Sequence, residues 1–213
     1  MTAAPETTIR DDTTARHLRK YSNPNIIHRF TLNRFFDVVT CEIQKLNPQK
    51  VLEFGCGEGL FLKELKKRDL YFKSLIGIDL RKDALEIART LHPDYDFIEK
   101  DVFTWDFPKK SFDLVIASQV LEHLPNPEDV LNNLVQYSNK NLLLTVPWEP
   151  WFRLMNLIRG RDIIRLGNHP EHINHWGVKT FTDFVSQNLH ITTIRTVFPF
   201  IIITGQTMAA SPA

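Results

Sequence analysis

Short apolar runs alternate with amphipathic segments along most of this chain. The apolar runs are rich in Val, Ile, Leu and Phe and are bounded by turn residues, which is typical of buried strands. One begins at Val51, and the others cover 75–79, 97–103, 112–118 and 141–146. Helical spacing follows at 60–68, 83–91 and 127–137, with a short turn after 103. Strands that alternate with helices predict a Rossmann-like α/β fold with a doubly wound, mostly parallel sheet.

The chain before the first strand divides into two parts. Residues 1–20 are polar and rich in Thr, and without periodicity we expect them to be loosely ordered. Ser22-Asn23-Pro24 can cap a helix whose apolar positions run with helical spacing to Ile43, and Asn47-Pro48 ends it. The folded domain is therefore predicted to cover 21–213.

The chain after the fifth strand departs from the alternation. Residues 147–180 form a long insertion, and 190–197 and 200–205 predict two final strands joined through Phe198-Pro199.

Glycine occupies every second position, at 55, 57 and 59, directly after the first strand. Such a loop lets backbone approach a ligand and tolerates positive φ. The dinucleotide pattern G-x-G-x-x-G is not met, because residue 60 is Leu. Glu53 and Glu58 would also repel a diphosphate. A cationic ligand without phosphate fits better, and S-adenosylmethionine is such a ligand.

Further acidic residues follow later strands. Asp79 ends the second strand, where a carboxylate can accept ribose hydroxyls. Asp101 ends the third and is a candidate acceptor for the adenine amine. The ordered set E-x-G-x-G-x-G, G-I-D, K-D, F-D-L-V and L-E-H-L resembles the class I S-adenosylmethionine-dependent methyltransferases of the small-molecule type, over roughly residues 30–205.

The resemblance implies S-adenosylmethionine as cofactor and an antiparallel last hairpin. Glu53 would hold the methionine ammonium, with Asp79 on the ribose. Leu80 and Arg81 would flank adenine, although Arg81 could equally lie on the surface. The candidate cofactor-binding residues are Glu53, Gly55, Gly57, Gly59, Asp79, Leu80, Asp101, Val102, Ser118 and Gln119.

Histidines supply the catalytic candidates. His123 follows the fourth strand, at the sheet edge where ligands of open α/β folds bind, and could act as a general base or only support its loop. His172 is the second candidate, within a cluster from His169 to Trp176. We expect this cluster to close the roof of the active site, with a purely structural role as the alternative. Metal is not expected, because Glu171 and His172 are adjacent.

Aromatic residues dominate the stretch after the fifth strand. We expect 147–180 to cover the acceptor pocket, with an ordinary helix packed on the core or shallow membrane contact as alternatives. The candidate substrate contacts are Trp148, Trp151, Met155, His175 and Trp176.

Composition adds limits to this picture. The chain has 213 residues, enough for one α/β domain with a sizeable core, and a formal net charge of +1 that argues against a nucleic-acid partner. Its two cysteines form no disulfide framework, and Cys56 is expected to be a buried thiol. With neither a secretory signal nor a membrane-spanning run in this sequence, a cytoplasmic location is predicted.

These observations predict an enzyme that moves a methyl group to an oxygen or nitrogen atom of a small, lipophilic acceptor. Methylation of an RNA terminus, or a non-catalytic cofactor-binding subunit, are the alternatives. The sequence does not indicate the acceptor or the oligomeric state.

Overall fold

The computed structural model of the chain describes residues 26–105, 107–158 and 173–208. The predicted loose N-terminus at 1–20 lies outside these residues. Helices and strands alternate as predicted. The helices are α1 (Ile26–Leu46), α2 (Leu60–Lys66), α3 (Lys82–Leu91), α4 (Pro127–Tyr137), α5 (Trp151–Ile158) and α6 (Val178–Ser186). The strands are β1 (Lys50–Phe54), β2 (Ser74–Asp79), β3 (Asp96–Glu99), β4 (Phe112–Ser118), β5 (Ser138–Pro147), β6 (Leu189–Val197) and β7 (Phe200–Thr207).

The seven described strands form one sheet in the order β3-β2-β1-β4-β5-β7-β6. The pairs among β3, β2, β1, β4 and β5 are parallel, whereas β7 is antiparallel to both β5 and β6. The Rossmann-like fold class with its antiparallel last hairpin is therefore confirmed. Because β1 lies between β2 and β4, the direction of strand succession reverses there, which is where open α/β sheets bind ligands.

Alternation along the strands divides the core between the two faces of the sheet. Leu52 packs with α4 and α6 on one face, and the neighbouring Val51 packs with α1, α2 and α3 on the other. Helices thus cover both faces of the parallel strands. Polar functional side chains are therefore expected at the ends of these strands.

Two strand boundaries differ from the prediction by three residues or more. β3 ends at Glu99 and not at 103, because Asp101 accepts the backbone N–H of Phe103 at 3.0 Å and turns the chain. β5 begins at Ser138, directly after α4, and not at Asn141. The predicted insertion at 147–180 contains α5 and the first turn of α6.

No helix within 26–105, 107–158 and 173–208 is long and apolar enough to cross a bilayer.

Candidate active site

The glycine loop folds over the end of β2. Gly55, Gly57 and Gly59 all have positive φ, at 68°, 51° and 72°. The backbone N–H groups of Gly55 and Cys56 donate to the carbonyl of Ile78 at 2.8 and 3.1 Å. A Cβ at position 55 would lie 2.5 Å from Cγ2 of Val120, so glycine is required for the chain after β4 to approach. The loop is thereby fixed between β2 and β4.

His92, which directly follows α3, contacts the same loop, and sequence reasoning did not identify it. Its Nε2 lies 2.9 Å from the carbonyl oxygen of Gly59 in a buried position. A Cβ at position 59 would lie 2.8 Å from Cδ2 of His92. Burial lowers the pKa of His92, which favours the neutral ring. A histidine at the end of a helix gives no local signal of this contact.

Asp79 connects the loop to the second strand. Its Oδ2 accepts the backbone N–H of Gly57 at 2.8 Å, and its Oδ1 accepts that of Arg81 at 2.9 Å. A carboxylate oxygen can accept more than one hydrogen bond, so both oxygens keep capacity for ribose hydroxyls. Asp79 therefore shapes the loop, and its role in holding the ribose stays a prediction.

Glu58 does not act as the sequence argument assumed. Its carboxylate is buried and forms an ion pair of 3.1 Å with Nη1 of Arg81. Burial alone would lower the pKa of Arg81, but Glu58 and Asp79 outweigh it and raise that pKa. The charge of Glu58 is therefore compensated, and the argument against a diphosphate rests on Glu53. Arg81 lies between the two acids and not on the open surface.

Glu53 is the acid of this site that lacks a compensating cation among the described residues. Its side chain is buried, with 3% of the residue exposed, and Oε2 makes no hydrogen bond to a described residue. Burial, reinforced by the negative charge of Asp79, raises the pKa of Glu53 to about 8. An unpaired buried carboxylate is costly, and an ammonium group would compensate it. This orphaned oxygen fits the cationic end of S-adenosylmethionine.

The residues predicted to surround adenine, and Phe103 beside them, which was not predicted, differ in exposure. Leu80 is 67% exposed and Phe103 is 55% exposed, which is unusual for large apolar side chains beside a polar loop. Val102 is buried in the core, so a cofactor contact there would use its backbone. Asp101 keeps Oδ2 for a ligand, since Oδ1 accepts the Phe103 N–H.

A polar cluster joins the ends of β4 and β5. Ser118 Oγ lies 2.9 Å from Oγ1 of Thr145, and Gln119 donates from Nε2 to the same oxygen at 3.2 Å. Gln119 has φ of 58°, a conformation that non-glycine residues adopt at a cost and that is found at binding sites. Thr145 was not predicted, although a polar residue near the end of an apolar strand is a signal that could have indicated it.

His123 closes a short 3-10 turn, Leu121–His123, after β4. Its ring is about one-third exposed, and its Nε2 lies 4.0 Å from Oε1 of the buried Glu122. The last part of the predicted insertion binds this turn. Asn174 donates from Nδ2 to the carbonyls of Leu121 and Leu124 at 3.2 and 2.7 Å. The structure therefore brings His123 and the 173–177 segment together.

Glu149, beyond the end of β5, has two basic neighbours and was also missed. Its Oε1 lies 3.8 Å from Nδ1 of His175, and its Oε2 lies 3.8 Å from Nε of Arg153. Burial raises the pKa of Glu149 even though Arg153 opposes the shift. From the sequence, Glu149 could not be distinguished from an acidic surface residue within an aromatic stretch.

The predicted substrate contacts occupy different environments. Trp148 and Trp151 pack edge to face at 6.4 Å, and Trp151 remains 42% exposed. Met155 is half-buried on α5. Trp176 is buried against Phe181 and Phe184, which gives it a packing role. The apolar surface of this region consists of Trp151, Leu154, Leu157 and Phe198.

The predicted histidine cluster, from His169 to Trp176, is only partly among the described residues. His172 and its neighbours His169 and Glu171 lie outside the described residues. Within the described residues, no three His, Cys, Asp or Glu side chains are grouped closely enough to hold a metal ion. Cys56 is buried, and burial raises the pKa of its thiol far above the ordinary value, so a nucleophilic thiolate is disfavoured.

The fold and the acidic cradle formed by Glu53 and the glycine loop of Gly55, Gly57 and Gly59 together define a class of protein, the Rossmann-like methyltransferases that bind S-adenosylmethionine. The profile of the family described as "Methyltransferase domain" matches residues 15–188. The chain belongs to this family of class I S-adenosylmethionine-dependent methyltransferases, so the predicted family, enzyme class and cofactor are confirmed.

Individual relatives agree with this assignment. A trans-aconitate 2-methyltransferase from Shigella flexneri is 26% identical over 78% of this chain, and the match covers 66% of that protein, slightly less than two thirds. A ubiquinone biosynthesis O-methyltransferase from Azoarcus is 34% identical over 43% of this chain and 40% of its own length. The structure of magnesium protoporphyrin IX methyltransferase from Synechocystis, with bound S-adenosylhomocysteine, has a TM-score of 0.69 at 17% identity. It covers 96% of this chain and 100% of that one, and shows the shared fold.

Proposed function

We propose that this protein transfers a methyl group from S-adenosylmethionine to an oxygen or nitrogen atom of a small, lipophilic acceptor. The observation that carries the proposal is the exposed apolar surface of α5 and of Phe198 at the tip of the β6–β7 hairpin, beside the strand ends proposed to bind the cofactor. The ring centroids of Trp151 and Phe198 are 6.3 Å apart, so α5 and the turn between β6 and β7 contribute to one continuous surface. Large apolar side chains exposed in a group mark binding surfaces more often than singly exposed ones do.

The chain's own residues supply binding and orientation. When bound, S-adenosylmethionine supplies an electrophilic methyl group on a good leaving group. Glu53 would pair with the ammonium, Asp79 would accept the ribose hydroxyls, and the glycine loop would allow close backbone approach. Ser118, Gln119 and Thr145 lie where β4 and β5 end, between this cradle and the aromatic surface. Their hydrogen-bonded side chains can therefore orient the acceptor or the methionine end.

The names of the relatives support a small molecule as acceptor. One is named for methylation of trans-aconitate and the other for O-methylation in ubiquinone biosynthesis. Oxygen as the accepting atom agrees with the second name. The lipophilic character of the acceptor rests on the apolar surface of α5 and Phe198 alone, and shallow contact of this surface with a bilayer stays a prediction.

A product screen with labelled methyl donor tests the proposal. The full chain would be offered aromatic and isoprenoid alcohols and amines, polar carboxylic acids, and RNA with free termini. We expect the wild type to transfer label to an apolar small molecule. The Trp151→Ala variant should lose this transfer, and the Tyr71→Ala variant should keep it. Tyr71 is a matched control because it is exposed at the opposite end of the strands, just before β2. Label in RNA alone would reject the lipophilic acceptor.

A further inference from the structure

We propose that Glu149 and His175 form an acid–base pair in which His175 takes the proton of the acceptor and Glu149 positions its ring. This inference rests on the proposed methyl transfer and names residues for a role that had been considered for His123 and His172. The two side chains approach to 3.8 Å, between Oε1 of Glu149 and Nδ1 of His175. They come from opposite ends of the predicted insertion.

Backbone hydrogen bonds hold this pair in place. The N–H of Glu149 donates to the carbonyl of Trp176 at 2.9 Å, which fixes the residue after His175. The N–H of Asn174, the residue before His175, donates to the carbonyl of Glu122 at 3.0 Å. His175 is therefore held between the turn after β4 and the end of β5. These strand ends neighbour the methyl donor in the proposed site.

The two carboxylate oxygens of Glu149 have different partners. Oε2 accepts the N–H of Arg153 at 3.4 Å and also faces its guanidinium. Oε1 is buried and makes no hydrogen bond to a described residue, and His175 is its basic neighbour. A buried acceptor without a donor is costly, so a small movement of the ring that brings Nδ1–H to Oε1 would be stabilising. Catalytic hydrogen bonds are often long without ligand and shorten in the complex.

The environment of His175 favours a neutral ring. Burial, assisted by the positive charge of Arg153, lowers the pKa of His175. The charged and titratable groups around it are Glu149 beyond β5, Arg153 on α5, and Glu122 and His123 on the turn to which Asn174 binds. With the proton of the neutral ring on Nδ1 and directed to Glu149, the lone pair of Nε2 is left to act as a base.

The transfer then balances as follows. The acceptor oxygen or nitrogen attacks the methyl carbon, the new bond forms, and the carbon–sulfur bond breaks with its electron pair going to the sulfonium sulfur, which becomes a neutral thioether. The proton of the acceptor goes to Nε2 of His175. The resulting imidazolium is stabilised by the Glu149 carboxylate and later releases its proton to water.

Nitrogen NMR of the ligand-free protein tests the pair without any turnover. The ¹⁵N shifts of the His175 ring should show the Nδ1–H tautomer in the wild type. In Glu149→Gln they should show a larger share of the Nε2–H tautomer, and the pKa of His175 should fall because a negative charge is lost. Identical tautomers and pKa in both proteins would overturn the proposal.

Kinetics provide the second readout. His175→Asn should lower kcat by about 10²–10⁴-fold, the range typical of lost general acid–base catalysis. It should also remove the acidic limb of the plot of kcat against pH. Glu149→Gln should lower kcat less, and both variants should bind S-adenosylhomocysteine as the wild type does, which also shows that they fold. His190→Ala is the matched control, an exposed histidine on β6 that should have no effect. Less than a tenfold loss in His175→Asn would reject the base.

The failure of this inference can be told from the failure of the proposed function. If the wild type methylates no acceptor, the proposed function fails, and the NMR comparison still decides whether the two side chains are coupled. If the wild type is active and His123→Ala abolishes the acidic limb while His175→Asn keeps it, the role belongs to His123 and the proposal for His175 is rejected.

Discussion

The backbone N–H of Gly57 donates a hydrogen bond of 2.8 Å to Oδ2 of Asp79, 22 residues further along the chain. This bond joins the loop after β1 to the end of β2. The residue expected to hold the ribose therefore also shapes the loop that must admit the methionine end. Cofactor affinity and loop geometry are consequently coupled through one carboxylate.

Replacing Asp79 tests this coupling. Asp79→Ala should weaken S-adenosylhomocysteine binding by about 1–3 kcal/mol, the scale of losing hydrogen bonds to a charged acceptor. Calorimetry measures the loss. Asp113→Ala is the matched control, because Asp113 accepts the N–H groups of Gln49 and Lys50 at the opposite end of the strands. Unchanged affinity in a folded Asp79→Ala variant would exclude ribose binding by this residue.

Glu53 should lower the stability of the ligand-free protein and strengthen binding of the cofactor. Its pKa is raised from the ordinary 4.5 to about 8 by burial and by Asp79, so between these values the folded state keeps a proton that the unfolded chain has lost. Stability should therefore fall as pH rises from about 5 to 8. Glu53→Gln removes this effect, and the ligand-free variant should exceed the wild type in free energy of unfolding at pH 8 by an amount on the order of a few kcal/mol.

The same variant should lose affinity for the cofactor. The wild type should bind S-adenosylhomocysteine more tightly as pH rises from 6 to 8, because the carboxyl must lose its proton to pair with an ammonium. Glu53→Gln should bind more weakly and with little pH dependence. Equal affinity and equal pH dependence in both proteins would show that Glu53 does not hold the cationic end.

The contact between Gly59 and His92 should limit substitution. Gly59→Ala places a Cβ 2.8 Å from the His92 ring at φ of 72°, so the free energy of unfolding should fall by about 1–3 kcal/mol. Urea denaturation measures it. Gly177→Ala is the control, because its nearest neighbour would be 3.8 Å away and φ is −87°. A loss no larger than that of the control would refute the steric argument.

The aromatic surface should affect the acceptor and not the cofactor. Trp151→Ala and Met155→Ala should raise the acceptor KM, because both remove apolar contact area from α5. The affinity for S-adenosylhomocysteine should stay near that of the wild type. Steady-state kinetics with an acceptor found in the product screen, together with calorimetry, separates the two. An unchanged KM in both variants would place the acceptor elsewhere.

Local signals predicted most of the fold and the identity of the cofactor. The strand–glycine loop–helix pattern around Gly55–Gly59 lies in consecutive residues, so its chemistry is visible without a structure. The end of β3 was predicted wrongly, because the side chain of Asp101 competes with the strand for a backbone N–H. An apolar run alone does not report such competition.

Long-range partners account for what sequence reasoning missed. His92 supports Gly59, which is 33 residues away, and Asn174 binds the carbonyl of Leu121, which is 53 residues away. Glu58 was assigned a repulsive charge because its partner Arg81 lies far along the chain, between β2 and α3. Thr145 differs, since its polarity in an apolar strand was visible. Which side chains contact one another depends on the fold, and the type of a single residue does not indicate its contact partner.

Calorimetry of the full chain with S-adenosylhomocysteine and with NAD tests the central claim most directly. Glu53, the buried acid of the cradle, should select a cation and reject a diphosphate. We expect binding of S-adenosylhomocysteine with a dissociation constant in the micromolar range, about −8 kcal/mol, and no measurable binding of NAD. Tight binding of NAD without binding of S-adenosylhomocysteine would contradict the claim.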